Sequence, residues 1–456
     1  MNRRRDILKL EVISWALYDF ANTIYSMNII SLYFASWLVI DLGYRDINYA
    51  VPYAGSMLLA GLLMPALGYL SDGQGDRKEF SGRRKVRLLG LFTFGAVAAV
   101  VAFALLPPTA VVPILILFAI SNFFYEGGMV FYNALLGSVS SGDNVGKISG
   151  FGVALGYLGS IVGMVLVLPF VSGELFGLDI PLIVDGGKSA AFLPTAIYFG
   201  LFSLPIIFFV RERRFNGAAD GSPLPSSERR GLRQAYRDIW ASLRTTEKYP
   251  GLLRFLIADY CFEDAIATVI AFMAVFTEKV FDFTSEDKTI FFIVSTVFAI
   301  VGAYFFGRLA DRYTPKKVLF FIVAAWIGVL IGFVANTRAE FFWILGPLIG
   351  VLLGGVWSVS RPLLMQLVPP EKLGQFFGLF SISGRAAAIC GPLVWGGVVY
   401  LFEPGNYLGK LVAAHFDLSQ SAAAKLPYRL GVLALALMMA VGLYLFRKVP
   451  DKGKQK

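Results

Sequence analysis

The chain has 456 residues, 57% of them hydrophobic and 16% charged, with a formal net charge of +10 at pH 7 and a mean hydropathy of +0.66. A soluble domain carries about 25% charged residues. This chain has too few to cover its own surface, so a lipid bilayer must be its outer solvent. Two cysteines, Cys261 and Cys390, and one histidine, His415, exclude a disulfide framework and a Cys/His zinc site.

The N-terminus, MNRRRDILKL, is basic, but the apolar run behind it continues for nearly 30 residues without a cleavage site of small residues. It reads as a retained first helix rather than a signal peptide. A spanning helix needs about 20 mostly apolar residues. Such stretches lie near 12–40, 50–70, 88–106, 111–136, 148–171 and 191–210, then near 251–276, 290–309, 318–335, 341–365, 376–402 and 428–446. Twelve spans are therefore expected. Alternating loops divide the lysines and arginines into 31 on one side and 8 on the other, with Arg361 and Arg385 inside spans. That asymmetry predicts an even number of spans with both termini in the cytoplasm. It also accounts for the basic charge without nucleic acid.

Residues 211–250 form the boundary between halves, giving a first bundle over 1–210 and a second over 251–456. The first part of this linker is rich in Gly, Ser and Pro. Its second part places Leu232, Tyr236, Ile239, Trp240 and Leu243 on one helical face, as in a short helix lying on a membrane surface. A solvated tether fits the same residues nearly as well.

The halves repeat. GYLSD (68–72), with GRRK (82–85) after it, is answered by GRLADRYTPKK (307–317), at a Gly-to-Gly offset of 239. Asp19-Phe20 recurs as Asp259-Tyr260. After an insert in the first half the offset becomes 228, so that Gly146, Gly150, Gly156 and Gly163 align with Gly374, Gly378, Gly384 and Gly391. These glycine spacings suit close helix packing. Parallel six-helix repeats resemble the architecture of major facilitator transporters, and the fold class expected is an all-α membrane protein of that type. The repeated loop resembles that superfamily's motif. Asp72, Arg83, Arg84, Asp311, Arg312 and Lys316 are candidates for a cytoplasmic gate; topology and loop capping are the alternative use of the same charges.

A narrower resemblance is carried by SWALYDFANTIY (14–25), VFYNALL (130–136), GKISGFGVALGYLG (146–159) and GGVWSVSRPLLMQLVPPEKLGQFFGLFSISGRAAAICGPL (354–393). These segments resemble the vacuole-effluxer-like branch of the superfamily, whose fungal members are associated with amino-acid release from the vacuole. The resemblance implies solute transport without ATP hydrolysis. The chain departs from the branch in a long insert at 73–81 and in Gly137.

Seven ionisable residues fall within spans: Asp19, Glu126, Asp259, Glu263, Asp264, Arg361 and Arg385. Each costs roughly 2.5–3.5 kcal/mol at a helix centre, so such residues face one another or a water-filled cavity and are functional candidates. The resemblance implies that helices 1, 4, 7 and 10 line that cavity. Pairing with two bases cannot neutralise five acids, so at least one carboxylate is expected to be protonated at neutral pH, and Glu126 or Asp264 is the preferred proton carrier. Arg361 and Arg385 are candidates for holding a substrate carboxylate or phosphate; a structural salt bridge, for example Arg361 with Asp19, is the alternative. Asn22, Asn122, Tyr125, Asn133 and Trp357, with Tyr18 and Tyr132, are candidate substrate contacts, although aromatic residues in spans more often serve packing.

The function expected is secondary, proton-coupled transport of a small organic solute by a monomer, with amino acids favoured by the resemblance. An exporter of amphipathic compounds or lipids, suggested by 41 Phe and 10 Met, and a non-transporting receptor are the alternatives. An enzyme would show a metal cluster or nucleophile set at membrane depth. None appears, GDNVGKIS (142–149) lacks phosphate-loop spacing, and no cofactor is expected. A bacterial inner membrane is the expected location.

Overall fold

The structure, a computed structural model, describes residues 9–44, 46–72, 83–141, 143–175, 178–179, 186–212, 237, 249–283 and 285–451. The insert at 73–81, the surface helix expected at 232–244 apart from Arg237, and the side chain of Arg385 lie outside the described residues.

Long helices occupy all twelve apolar stretches: α1 (Leu10–Asp41), α2 (Asp46–Ser71), α3 (Arg84–Ala104), α4 (Val111–Val139), α5 (Val145–Ser172), α6 (Phe192–Phe209), α7 (Leu252–Phe281), α8 (Ser285–Arg312), α9 (Pro315–Ala335), α10 (Phe342–Leu367), α11 (Leu373–Phe402) and, after the short α12 (Tyr407–His415), α13 (Gln420–Arg447). Helices satisfy every backbone group internally, which lipid demands. The only strands among the described residues are a two-residue antiparallel pair, β1 (Glu174–Leu175) and β2 (Leu178–Asp179). By length and hydropathy, 10 helices among the described residues can cross a membrane, and α7 makes 11 when its two arms, bent by 57°, count as one span. The twelfth, α11, qualifies only as the shorter apolar piece Cys390–Phe402. The twelve expected spans are thus all helical but are not all independently membrane-crossing by composition.

Two compact units result, one of Met1–Ser242 with Val368–Leu379, the other of Leu243–Leu367 with Phe380–Lys456. In the first, α1 packs on α5 and α6, α4 on α2 and α3, and α3 on α6. In the second, α7 packs on α13, α10 on α8 and α9, and α9 on α13. Four of these contacts recur at equivalent helices: α1–α6 as α7–α13, α2–α4 as α8–α10, α3–α4 as α9–α10 and α3–α6 as α9–α13.

Small residues set the closest approaches. A Cβ at Gly159 of α5 would strike the carbonyl oxygen of Phe20 on α1, and one at Gly350 of α10 would strike that of Ser295 on α8. The aligned glycines do not share one job, however. Gly156 lies against Asp19, 3.3 Å from its Cγ to the position a Cβ would take, whereas its counterpart Gly384 meets nothing within 4 Å.

α1 also departs from a regular helix. Residues Ser26–Tyr33 and Trp37–Asp41 form wide π-helical turns, a geometry that concentrates near functional sites. Side chains supplement the widened backbone: Asn28, fully buried, donates to the Ile24 carbonyl at 3.0 Å, and Tyr49 of α2 donates to that of Ile30 at 3.1 Å.

Candidate functional site

In the first unit the predicted residues of α1 and α4 do gather. Trp15 stacks on Tyr132 with ring centroids 4.5 Å apart and donates its indole N–H to the Tyr132 carbonyl at 3.0 Å. The Tyr132 hydroxyl in turn donates to Asp19 Oδ2 at 3.1 Å, and Asp19 is buried. Tyr18 shares a 3.0 Å hydrogen bond with Thr93 of α3. One turn along α1, Asn22 donates to the Tyr125 hydroxyl at 3.3 Å. Asn122 donates to Ser56 of α2 at 2.8 Å. Glu126, half-buried, lies one turn beyond Asn122 on α4, and Asn133 is buried nearer that helix's end. Ser56, Thr93, Tyr25 and Ser121 complete this network and were not singled out from sequence. A serine, threonine or tyrosine in an apolar run carries no signal until its partner helix is known.

In the second unit, Trp357 of α10 donates its indole N–H to Glu263 Oε2 of α7 at 3.1 Å. Arg361, one turn further along α10, lies within electrostatic reach of the same carboxylate. Asp264 is fully buried and takes the backbone N–H of Gly391 on α11 at 2.7 Å through Oδ1. Asp259 is fully buried one turn earlier on α7.

The loop residues divide into two jobs. Asp72 is 7% exposed, pairs with Lys85 at 2.7 Å, and accepts the N–H groups of Gly374 at 2.9 Å and Gln375 at 2.7 Å. It thereby caps the first turn of α11, whose 368–379 segment belongs to this unit, as a carboxylate at a helix N-terminus should. Burial pushes its carboxyl above the usual range, opposed by Lys85 and the two amides. Lys85 was not among the gate candidates.

Arg83 turns elsewhere, onto the carbonyls of Ile207 and Phe208 that end α6. In the second unit Lys316 likewise reaches the Arg447 carbonyl at the end of α13, at 3.3 Å. Cations on terminal carbonyls are a favourable C-cap. Both residues thus cap the last helix of their unit, the loop-capping use weighed beside a gate for these charges. Arg84 and Asp311 are half-buried, and Arg312 lies 5.7 Å from the centre of the Tyr313 ring.

Acids missed from sequence complete each clamp. Glu212 accepts the Val86 N–H at the start of α3 at 3.1 Å, and Asp451 accepts from Thr314 at the start of α9 at 3.2 Å. Among the described residues no three His, Cys, Asp or Glu side chains gather as a metal site.

The fold recurs among solved structures. The structure superposes on the human organic anion transporter MFSD10 (TETRAN) with a TM-score of 0.66, at 14% identity, over 97% of this chain and 99% of that one. A bacterial homologue of the iron transporter ferroportin, in its outward-facing state, gives 0.65 at 13% identity over 96% and 98%. In sequence the chain is similar to the MFS-type transporter YxiO of Bacillus subtilis (strain 168), 27% identical over 397 residues, covering 84% of this chain and 86% of that one. It is also similar to Autophagy-related protein 22 of Saccharomyces cerevisiae (strain ATCC 204508 / S288c), 27% identical over 280 residues, 55% of this chain and 51% of that protein. The molecule is a multi-pass secondary transporter of the major facilitator type, not an enzyme. Residues 39–401 match the family described as vacuole effluxer Atg22 like, and the chain belongs to that family.

Proposed function

We propose that this transporter moves a small amino-acid-like solute by alternating access and couples that movement to protons. Its working halves are 1–210 and 251–456, joined through 211–250, with both termini in the cytoplasm of a bacterial inner membrane. The observation that carries the proposal is the burial of Asp19, Asp259 and Asp264 within α1 and α7, with Glu126 on α4 and Glu263 on α7 half-buried. Carboxylates at that depth are kept for ion or proton movement. Glu263 beside Arg361 supports a role in which a substrate carboxylate displaces Glu263 from the guanidinium. Asp72, on the first turn of α11, supports a latch that must open on the side of the basic loops.

The test is uptake of labelled leucine by proteoliposomes under an imposed pH gradient. The gradient should drive accumulation and a protonophore should abolish it. Glu126→Gln and Asp264→Asn should each separate binding from accumulation. Uptake indifferent to the gradient ends the proton proposal; absence of uptake across an amino-acid panel ends the substrate proposal.

A second reading, export of amphipathic compounds, is favoured by one feature. In the first unit a cavity of about 530 Å³ is lined by Trp37, Phe103, Phe170, Phe192 and Ile197 among others. A Phe192→Ser variant that loses resistance to an amphipathic cation while keeping leucine uptake would support it.

A further inference from the structure

The repeat makes a controlled comparison possible inside one molecule. In the second unit, α10 presses on α8 through glycine: Gly350 faces the Ser295 carbonyl and Gly354 that of Ala299, each too close for a Cβ. The repeat offsets place Ser56 opposite Ser295, Ala60 opposite Ala299, Asn122 opposite Gly350 and Glu126 opposite Gly354. At the seam of the first unit that corresponds to this glycine contact, α4 therefore carries an amide and a carboxylate.

Those polar groups are oriented. The Ser56 hydroxyl gives its proton to the Tyr53 carbonyl at 2.7 Å, so it can only accept from Asn122, whose Nδ2 lies 2.8 Å away. Asn122 must then present Oδ1 as its remaining end. That oxygen is buried without a hydrogen-bond partner, on a side chain that is fully buried. Asn22 repeats the pattern: its Nδ2 faces the Tyr125 hydroxyl, and its buried Oδ1 has no partner. Buried acceptors are normally satisfied. Around them stand Glu126 and the rings of Tyr25 and Tyr125. The apolar stretches of α1, α2 and α4 contain no Lys, Arg or His. Amide oxygens, a carboxylate and tyrosine rings, with no positive side chain on these helices, recognise a cation that donates N–H groups.

We infer that the α1–α2–α4 cluster of the first unit is the subsite for a protonated amine, reached through Asn22, Asn122 and Glu126. This deepens the transport function proposed above and rests on it.

Thermal stabilisation of the full chain in nanodiscs tests this with four probes: tyramine, 3-(4-hydroxyphenyl)propionate, L-leucine and N-acetyl-L-leucine. Tyramine and leucine should stabilise the protein, and the two compounds without an amine should bind at least tenfold more weakly. A double variant, Asn122→Gly with Glu126→Gly, copies the second unit's seam and should fold while losing at least tenfold in tyramine affinity. If it fails to fold, Asn122→Leu and Glu126→Gln singly decide, each expected to lose at least fivefold. Equal binding of amine and amine-free probes, no binding of either amine, or variants that keep full affinity would overturn the subsite. Tyramine binding without leucine binding would leave the subsite standing and remove the amino-acid proposal. Equal binding of leucine and N-acetyl-leucine would do the reverse.

Discussion

Tyr25 and Tyr125 cross between two helices: Tyr25 rises from α1 to meet Ser121 of α4 at 2.7 Å, and Tyr125 rises from α4 to meet Asn22 of α1 at 3.3 Å, with their rings stacked at 4.6 Å and 19°. The stack supplies packing, and each hydroxyl supplies one cross-helix hydrogen bond. Tyr125→Phe keeps the ring and strips Asn22 Nδ2 of its acceptor. It should fold with a modest loss of about 1–3 kcal/mol and lower substrate affinity about tenfold, read by ligand-dependent thermal stabilisation. Tyr125→Ala should be the more destabilising of the two.

Asp72 is expected to be intolerant of its amide. Asn offers one oxygen where Asp72 offers two, and turns an NH2 toward a backbone donor of Gly374 or Gln375. Asp72→Asn should therefore reduce uptake several-fold with normal expression. Lys85→Met should be milder, since it leaves both backbone hydrogen bonds in place. Initial uptake rates compare the two.

Glu212 lets a pH effect be given a sign. Burial holds its carboxyl above the usual range, with the Val86 N–H opposing. A raised folded value means that the folded chain binds this proton more readily than the unfolded one. The contribution is present at low pH and lost as pH rises from the ordinary carboxylate value of about 4.3 to the raised one. Glu212→Gln keeps an acceptor for Val86 without ionising. It should equal or exceed the parent in melting temperature at pH 7 and lose that advantage near pH 4. Glu212→Ala, which orphans the N–H, should melt lower at both.

At the α8–α10 contact, Gly350→Val should cost about 1–3 kcal/mol or more through overpacking, because its side chain meets the Ser295 carbonyl. Gly384→Ala, where nothing lies within 4 Å, should be nearly neutral. Detergent thermal unfolding distinguishes them. Equal losses at the two sites would remove the packing argument.

Trp357→Phe should free Glu263 Oε2 from its indole donor and leave Arg361 as the partner within electrostatic reach. If Arg361 takes a substrate carboxylate, the variant should raise KM more than it changes maximal rate, because Glu263 then competes harder for the guanidinium.

The sequence by itself determined the solvent, the helices and the repeat. Apolar runs of about 20 residues have one solution in lipid, and a constant register of Gly and Asp across two halves survives any detail of packing. It also marked Asp19, Glu126, Asp259, Glu263, Asp264 and Arg361, because ionisable residues in apolar runs are visible in one dimension. What each charge touches was a tertiary matter. Asp72 and Asp311 belong to the same motif, yet two partners of Asp72 lie some 300 residues away, at the start of α11, and the third is Lys85, which was not among the gate candidates. Arg83 and Lys316 became helix caps because α6 and α13 end beside them. Asn122 and Glu126 acquired their meaning only when the α8–α10 contact showed glycine at the equivalent places. Composition sets how much polar surface must be hidden; only packing decides which polar atoms are left facing each other.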